Sequence, residues 1–305
     1  VQANTITDAL NHAYDIPTLY SGLVIIIFAG LIVIGGLRAI AKFAEWVVPF
    51  MAVTYVMVTL AITFLNIQLV PAMLWDIISS AFGLQEAGAG AMGAAFKHGV
   101  QRGLYSNEAG SGSVPHAAAS ATPNPNHPVS QGYVQMLGVF IDTMILCTCS
   151  AIVILLAGGA SGEGMEGIRL TQDAMSSHLG EGGGDFVAAA ISLFAFTSVV
   201  ANYAYGESNL HMFKLDNKLG RSAYTVGYLL MILWGSMAAL PEVWAMADMA
   251  LGLMTVINIT ALVLMTPTIV SISKDYFAKR DSGKKISYKA GDCEIQGKSE
   301  KGIWD

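Results

Sequence analysis

Residues 70–104 read VPAMLWDIISSAFGLQEAGAGAMGAAFKHGVQRGL, and the fold turns on this stretch. Val70 to Phe82 is apolar enough for hydrocarbon but too short to cross it, because a span needs about 20 residues. Gly83 to Leu104 then brings Gly83, Glu86, Gly88, Gly90, Gly93 and Gly99. Together the two pieces predict one crossing interrupted near its middle. At membrane depth every backbone N–H and C=O must find a partner, so non-helical chain survives only against protein or a polar cavity. Two readings compete for the glycines from Gly83 to Gly93. One is an unwound stretch whose carbonyls and half-helix ends hold a zwitterion or a cation. The other is close helix packing through small residues four apart, a stripe that Gly83 and Glu86 disturb.

Working outward, apolar blocks of crossing length recur at Leu19–Leu37, Trp46–Leu69, Gly132–Ala157, Phe186–Tyr205, Ser222–Leu240 and Val243–Ile272. With the broken span they predict about seven crossings, an all-α polytopic membrane domain over residues 1–272 and a polar tail over 273–305. Between the fourth and fifth crossings, Gly158–Gly184 predicts a glycine-flanked surface segment with a short helix at Ile168–Leu179. If loops alternate sides, only Arg169 faces away from the other basic residues. The positive-inside rule then places the tail in the cytoplasm. The opening VQANTITDALNHAYDIP has no basic signal-peptide start and predicts that further helices precede it.

Composition agrees with a bilayer as solvent. Of 305 residues 54% are apolar and only 12% charged, where a soluble domain carries about a quarter charged. That excludes a soluble enzyme. The net charge of −6 comes with basic residues scattered over loops and tail, not interleaved with aromatics on one face, so nucleic acid is not an expected partner. Cys147, Cys149 and Cys293 fit no disulfide framework or zinc spacing, and the six histidines show no metal-ligand pairing on a helix face. No phosphate-binding loop is present. An organic cofactor is not expected.

Two crossings carry polar groups at depth. Thr197 and Ser198 are adjacent hydroxyls in the fifth, suited to a hard cation, although such hydroxyls also commonly bond the carbonyl one turn back. Asn202 lies four or five residues further on, bordering the same cavity or acting as interhelical glue. Asp142 sits about ten residues into the fourth crossing; a proton or cation relay competes there with a hydrogen-bonded residue facing a wet vestibule. Asp248 and Glu207 are expected near the interfaces.

The segment Arg102 to Ala121, RGLYSNEAGSGSVPHAAASA, resembles the signature of the alanine/glycine:cation symporter (sodium:alanine symporter) family. Gln131–Thr148, Leu193–Glu207 and the closing MADMALGLMTVINITALVLMTPTIV extend the likeness over nearly the whole chain before the tail, as the C-terminal two-thirds of a member. The resemblance implies an inverted-repeat, five-plus-five-helix fold with a broken helix, in a bacterial cytoplasmic membrane. It implies sodium-coupled transport of a small neutral amino acid, alanine or glycine, by alternating access. Na+ is the implied coupling ion, with Thr197 and Ser198 as its ligands. Phe82 and the carbonyls near Gly83, Gly88 and Gly90 would face the amino acid, with Gln2, Asn4 and Asn202 contributing side-chain amides. Asn107-Glu108-Ala109-Gly110 predicts a tight turn whose carboxylate pairs with Arg102 or caps a helix, and Arg102, Asn107 and Glu108 are expected to gate. Ala201 and Asn202 stand where many relatives carry aromatics, which alters the pocket or its gate. The competing expectation is a membrane fragment with an assembly role and no transport of its own. An intramembrane enzyme would need paired ionisable groups at one depth, and the sequence offers isolated ones.

Overall fold

A computed structural model of the chain describes residues 1–34, 36–82, 89–108, 110–158, 166–289, 291–293, 295 and 304. Among them all regular structure is helical: α1 (Gln2–Tyr14), α2 (Thr18–Ile34), α3 (Gly36–Leu65), α4 (Val70–Ala81), α5 (Ala89–Asn107), α6 (Val114–Ser120), α7 (Pro128–Phe140), a π-helical segment (Ile141–Cys147), α8 (Thr148–Leu156), α9 (Ile168–Leu179), α10 (Gly182–Met212), α11 (Lys218–Met237) and α12 (Leu240–Asp281). Among the described residues, 4 helical stretches are long and apolar enough to cross a membrane: Lys42–Leu65, Pro128–Leu156, Gly182–Met212 and Leu240–Asp281. Thr18–Val33 and Val70–Ala81 are shorter apolar helices, and α11 has 20 residues, about 30 Å at 1.5 Å per residue.

The helix ends follow local chemistry. Asp15 takes a left-handed turn at φ 53° and its N–H closes α1 on Asn11 O. Asn217 Oδ1 accepts from Gly220 N–H at 2.8 Å to start α11, satisfying a donor that the first turn leaves without a helical partner. α9 runs between Gly167 at φ 64° and Gly180 at φ 74°, conformations that cost glycine little. The short helix expected at Ile168–Leu179 therefore forms with those bounds.

The third crossing is helical at more of its glycines than expected. α4 ends at Ala81, with Phe82 N–H bonded back to Ile78 O, and α5 is already helical at Ala89. Gly90, Gly93 and Gly99 thus lie within a helix, which corrects the expectation of an unwound run from Gly83 to Gly93. The alanines of AGAMGAAF supply the propensity that outweighs the glycines. Gly83 and Gly88 lie outside the described residues.

The chain divides into two compact units, Val1–His98 with Ile145–Ala247, and Gly99–Met144 with Asp248–Asp305. In the first, α1 packs on α2, α9, α10 and α11, while α3 packs on α8 and α10. Ala3, Ile6, Ile25, Ala29, Ala195, Val199 and Ile232 form a core around α1. Small residues permit close approach: a Cβ on Gly183 would strike the backbone of Met175, where α9 meets α10. Many apolar side chains face outward instead, Phe50 at 72% exposure and Ile257 at 70% among them, the distribution expected when lipid rather than water is the neighbour.

Candidate functional site

Polar side chains in the first unit are neutral at depth and bond to carbonyls. Thr197 Oγ1 donates to Phe194 O at 2.8 Å and Ser198 Oγ donates to the same oxygen at 3.3 Å. Three oxygens therefore gather at one level of α10, beside Val199, which is buried against α1. A hydroxyl that donates to a carbonyl keeps its lone pairs as acceptors, so this back-bonding leaves oxygen available to a cation. Asn202, half-buried, is one helical turn beyond Ser198 and on its side of α10. Thr197 is rotated about 100° from Ser198. The cavity of about 360 Å³ that Phe196 lines with Ile6, Leu10 and Phe28 is apolar apart from Tyr20, Ser21 and Ser192.

Asn4 is buried at the foot of α1 and commits its amide nitrogen to the end of α11, donating to Gly235 O at 3.0 Å and Ala238 O at 2.9 Å. Thr7 Oγ1 lies 3.0 Å from Ser236 O on the same face. These contacts answer carbonyls that the last turn of α11 cannot satisfy itself. Asn4 also lines a cavity of about 330 Å³ with Asp8, Thr18, Glu166, Arg169 and Ser236. There Arg169 donates from Nη2 and Nε to Asp8 Oδ1 at 2.6 and 3.0 Å, and that hydrogen bond holds its guanidinium above the ordinary arginine value against the opposing effect of burial. The sequence reading missed this ion pair, although Arg169 already stood out by its side of the membrane. Gln2 is half-buried in the first turn of α1. Phe82 is 72% exposed at the end of α4.

Gly90 is the second described residue of α5.

The second unit is built on charge. Arg102 Nη2 donates to Asp248 Oδ2 at 2.8 Å, a carboxylate on α12 that the sequence reading, which offered Glu108 as partner of Arg102 or as a helix cap, did not name. Ser106, four residues on and on the same face of α5, donates to Asp142 Oδ2 at 2.7 Å. Glu108 does form the expected tight turn, at φ 53°, with its carbonyl accepting from Ser111 N–H and Oγ at 3.1 and 2.8 Å. Asn258 Nδ2 donates to Gly110 O at 3.0 Å and ties that turn to α12. Asn107 ends α5; its side chain lies outside the described residues.

Taken together, the long apolar helices define the class: a multi-pass helical membrane protein. The sequence model of the sodium:alanine symporter family matches residues 1–290, and the chain belongs to that family, one of transporters and not of enzymes. It is 41% identical over 288 residues to the uncharacterized transporter YaaJ of Escherichia coli K12, covering 93% of this chain and 60% of YaaJ. It is 41% identical over 284 residues, 93% of this chain and 59% of the relative, to a Bacillus subtilis 168 protein named "Probable sodium/glutamine symporter GlnT". The sodium/proton-dependent alanine carrier protein of Bacillus sp. PS3 is 36% identical over 312 residues, 97% of this chain and 70% of its own length. The chain thus spans about 60% of the length of the first two relatives.

Proposed function

We propose that the protein is a sodium-coupled symporter of small neutral amino acids, alanine or glycine, working by alternating access in the bacterial cytoplasmic membrane with its tail in the cytoplasm. The observation that carries this reading is the family match over residues 1–290, which includes the helix bearing Thr197 and Ser198. Their hydroxyls and Phe194 O supply three oxygens, and sodium, as a hard cation, would draw the remainder from other elements. Carbonyls at the end of α4 and near Gly90 would face the amino acid and meet its ammonium group. Relatives are named for sodium with glutamine and for sodium or protons with alanine, so both solute size and coupling ion are open to selection here.

Labelled alanine uptake by the protein in proteoliposomes tests the reading. An inward sodium gradient should drive accumulation, with glycine competing better than glutamine; flux independent of sodium overturns it. Replacing Thr197 and Ser198 together by Ala should raise the sodium concentration for half-maximal uptake about tenfold, a loss of roughly 1.4 kcal/mol, at unchanged expression. An unaltered sodium response removes both residues from the site.

A further inference from the structure

Pro128–Leu156 is a continuous apolar span of 29 residues, and Asp142 is its single charged residue, placed at its midpoint. A carboxylate in the centre of hydrocarbon is costly unless it is paired or neutralised. The backbone is unusual there as well: Ile141–Cys147 is π-helical, a geometry that leaves helical carbonyls out of the ordinary ladder and recurs at functional positions. Asp142 is half-buried, and the contact it receives from α5 is neutral, Ser106 Oγ at 2.7 Å. The cation on that face of α5, Arg102, is held by Asp248 of α12. Tyr105 stands within electrostatic range of Arg102, Glu108 and Asp248.

Building on the transport reading above, we propose that Asp142 is a proton-binding site of the transport cycle, with Ser106 as the residue that positions its carboxylate. A hard metal cation takes about six or more oxygens, and the carboxylate with one hydroxyl offers far fewer. A proton needs a single oxygen. In the cycle a proton from water on one side adds to Asp142, giving a neutral carboxylic acid, and leaves to water on the other side to restore the carboxylate; no other bond forms or breaks. The hydroxyl of Ser106 donates to the charged form and must turn, or share its lone pair with the new O–H, when the acid forms. Protonation at mid-membrane is thereby coupled to the face of α5 that also carries Arg102.

The experiment joins a direct reading of the group to a transport reading. Infrared difference spectra of the purified protein, taken between acid and alkaline buffer, should contain a carboxylic C=O band that Asp142→Asn removes. In Ser106→Ala the midpoint of that band should differ from that of the unaltered protein, because the hydroxyl that meets the carboxylate is gone. In proteoliposomes with an internal pH dye, alanine entering under a sodium gradient should shift internal pH for the unaltered protein, whereas in Asp142→Asn the shift is abolished and whatever sodium-driven uptake remains has a flat pH profile. An unchanged band and an unchanged pH profile in Asp142→Asn overturn the proposal. So does a Ser106→Ala midpoint that stays put, a result that remains decisive if Asp142→Asn does not insert. Absence of any sodium-driven alanine uptake by the unaltered protein counts against the symport reading instead, and leaves the infrared result to decide the proton site by itself.

Discussion

Thr197, Ser198 and Asn4 are neutral and bond to carbonyls, whereas Arg102 and Asp248, with Ser106 and Asp142, are charged or face a charge and meet other side chains. Thr197 and Ser198 share Phe194 O, and Asn4 bridges two carbonyls of α11. Arg102 meets Asp248, and Ser106 meets Asp142. The difference is physical. A hydroxyl resting on its own helix remains hydrogen-bonded without a ligand, so an empty neutral site costs little in lipid. A charged residue at depth has no such local refuge and depends on a partner from another helix. Neutral oxygen clusters suit recognition of a solute that comes and goes. Side-chain pairs between helices suit a change of partner during a conformational step.

The comparison breaks first at Arg102. Replacing Arg102 by Ala strands the Asp248 carboxylate, and the expected loss of stability is about 2 kcal/mol, below the range for fully buried pairs because both groups are partly exposed. Arg102→Ala with Asp248→Ala together should recover at least half of that loss, as a double-mutant cycle on thermal unfolding in detergent would read. Strictly additive losses would mean that the pair is a bystander. Asn4 sets the neutral side of the comparison: Asn4→Ala leaves two carbonyls of α11 without their donor and should cost about 1 kcal/mol. Because the packing of α1 on α11 is separable from solute contact, the same variant distinguishes two roles. A change in melting temperature with an unaltered alanine concentration for half-maximal uptake assigns Asn4 to packing; the reverse pattern assigns it to the solute.

These regions differ in how legible they are in the sequence. α9 is readable to the residue because Gly167 and Gly180 bracket an amphipathic period, and both ends are set by local backbone freedom. The break in the third crossing is visible as glycines but reads too wide, since a count of glycines ignores the alanines that sustain α5 from Ala89. Arg102 and Ser106 sit four apart, so their common face is implicit in the helical period. Their partners are not, because Asp248 is 146 positions from Arg102 and only the packing of helices brings the two together. The π-helical turn at Asp142 has no compositional mark at all. The sequence shows only its carboxylate, Asp142. The Asp8–Arg169 pair is hidden in the same way, with 161 residues between its members.

Outside hydrocarbon the charge-based chemistry should matter least, and the tail sharpens the contrast. Lys279 Nζ donates to Asp275 Oδ2 at 2.7 Å, to Ser287 O at 2.7 Å and to Asp292 Oδ2 at 2.6 Å. Tyr288 N–H donates to Asn126 O at 2.9 Å, beside a fully buried His127 whose Nδ1 caps α7 by accepting from Val129 N–H. Hydrogen bonding from Lys279 holds the Asp292 carboxyl below its ordinary value of 3.8. Burial lowers the Lys279 ammonium, and hydrogen bonds with Asp275 and Asp292 outweigh it, leaving it above 10.5. Burial raises the Tyr288 hydroxyl to about 12, with Cys293 adding to the rise. A depressed acid contributes stability above its unfolded value and loses it as pH falls through the folded one, while the raised lysine and tyrosine contribute below their unfolded values and lose it as pH rises through the folded ones. Attachment of the tail should therefore be flat across neutral pH, weaken below about pH 4 and again above about pH 10. Asp292→Asn should speed tryptic cleavage at Lys284 and Lys285 only a few-fold at neutral pH, since exposed ion pairs contribute little. Cleavage accelerated as strongly as unfolding of the whole protein would show that charge pairing in water and at membrane depth carries similar weight here, and would erase the distinction drawn between them.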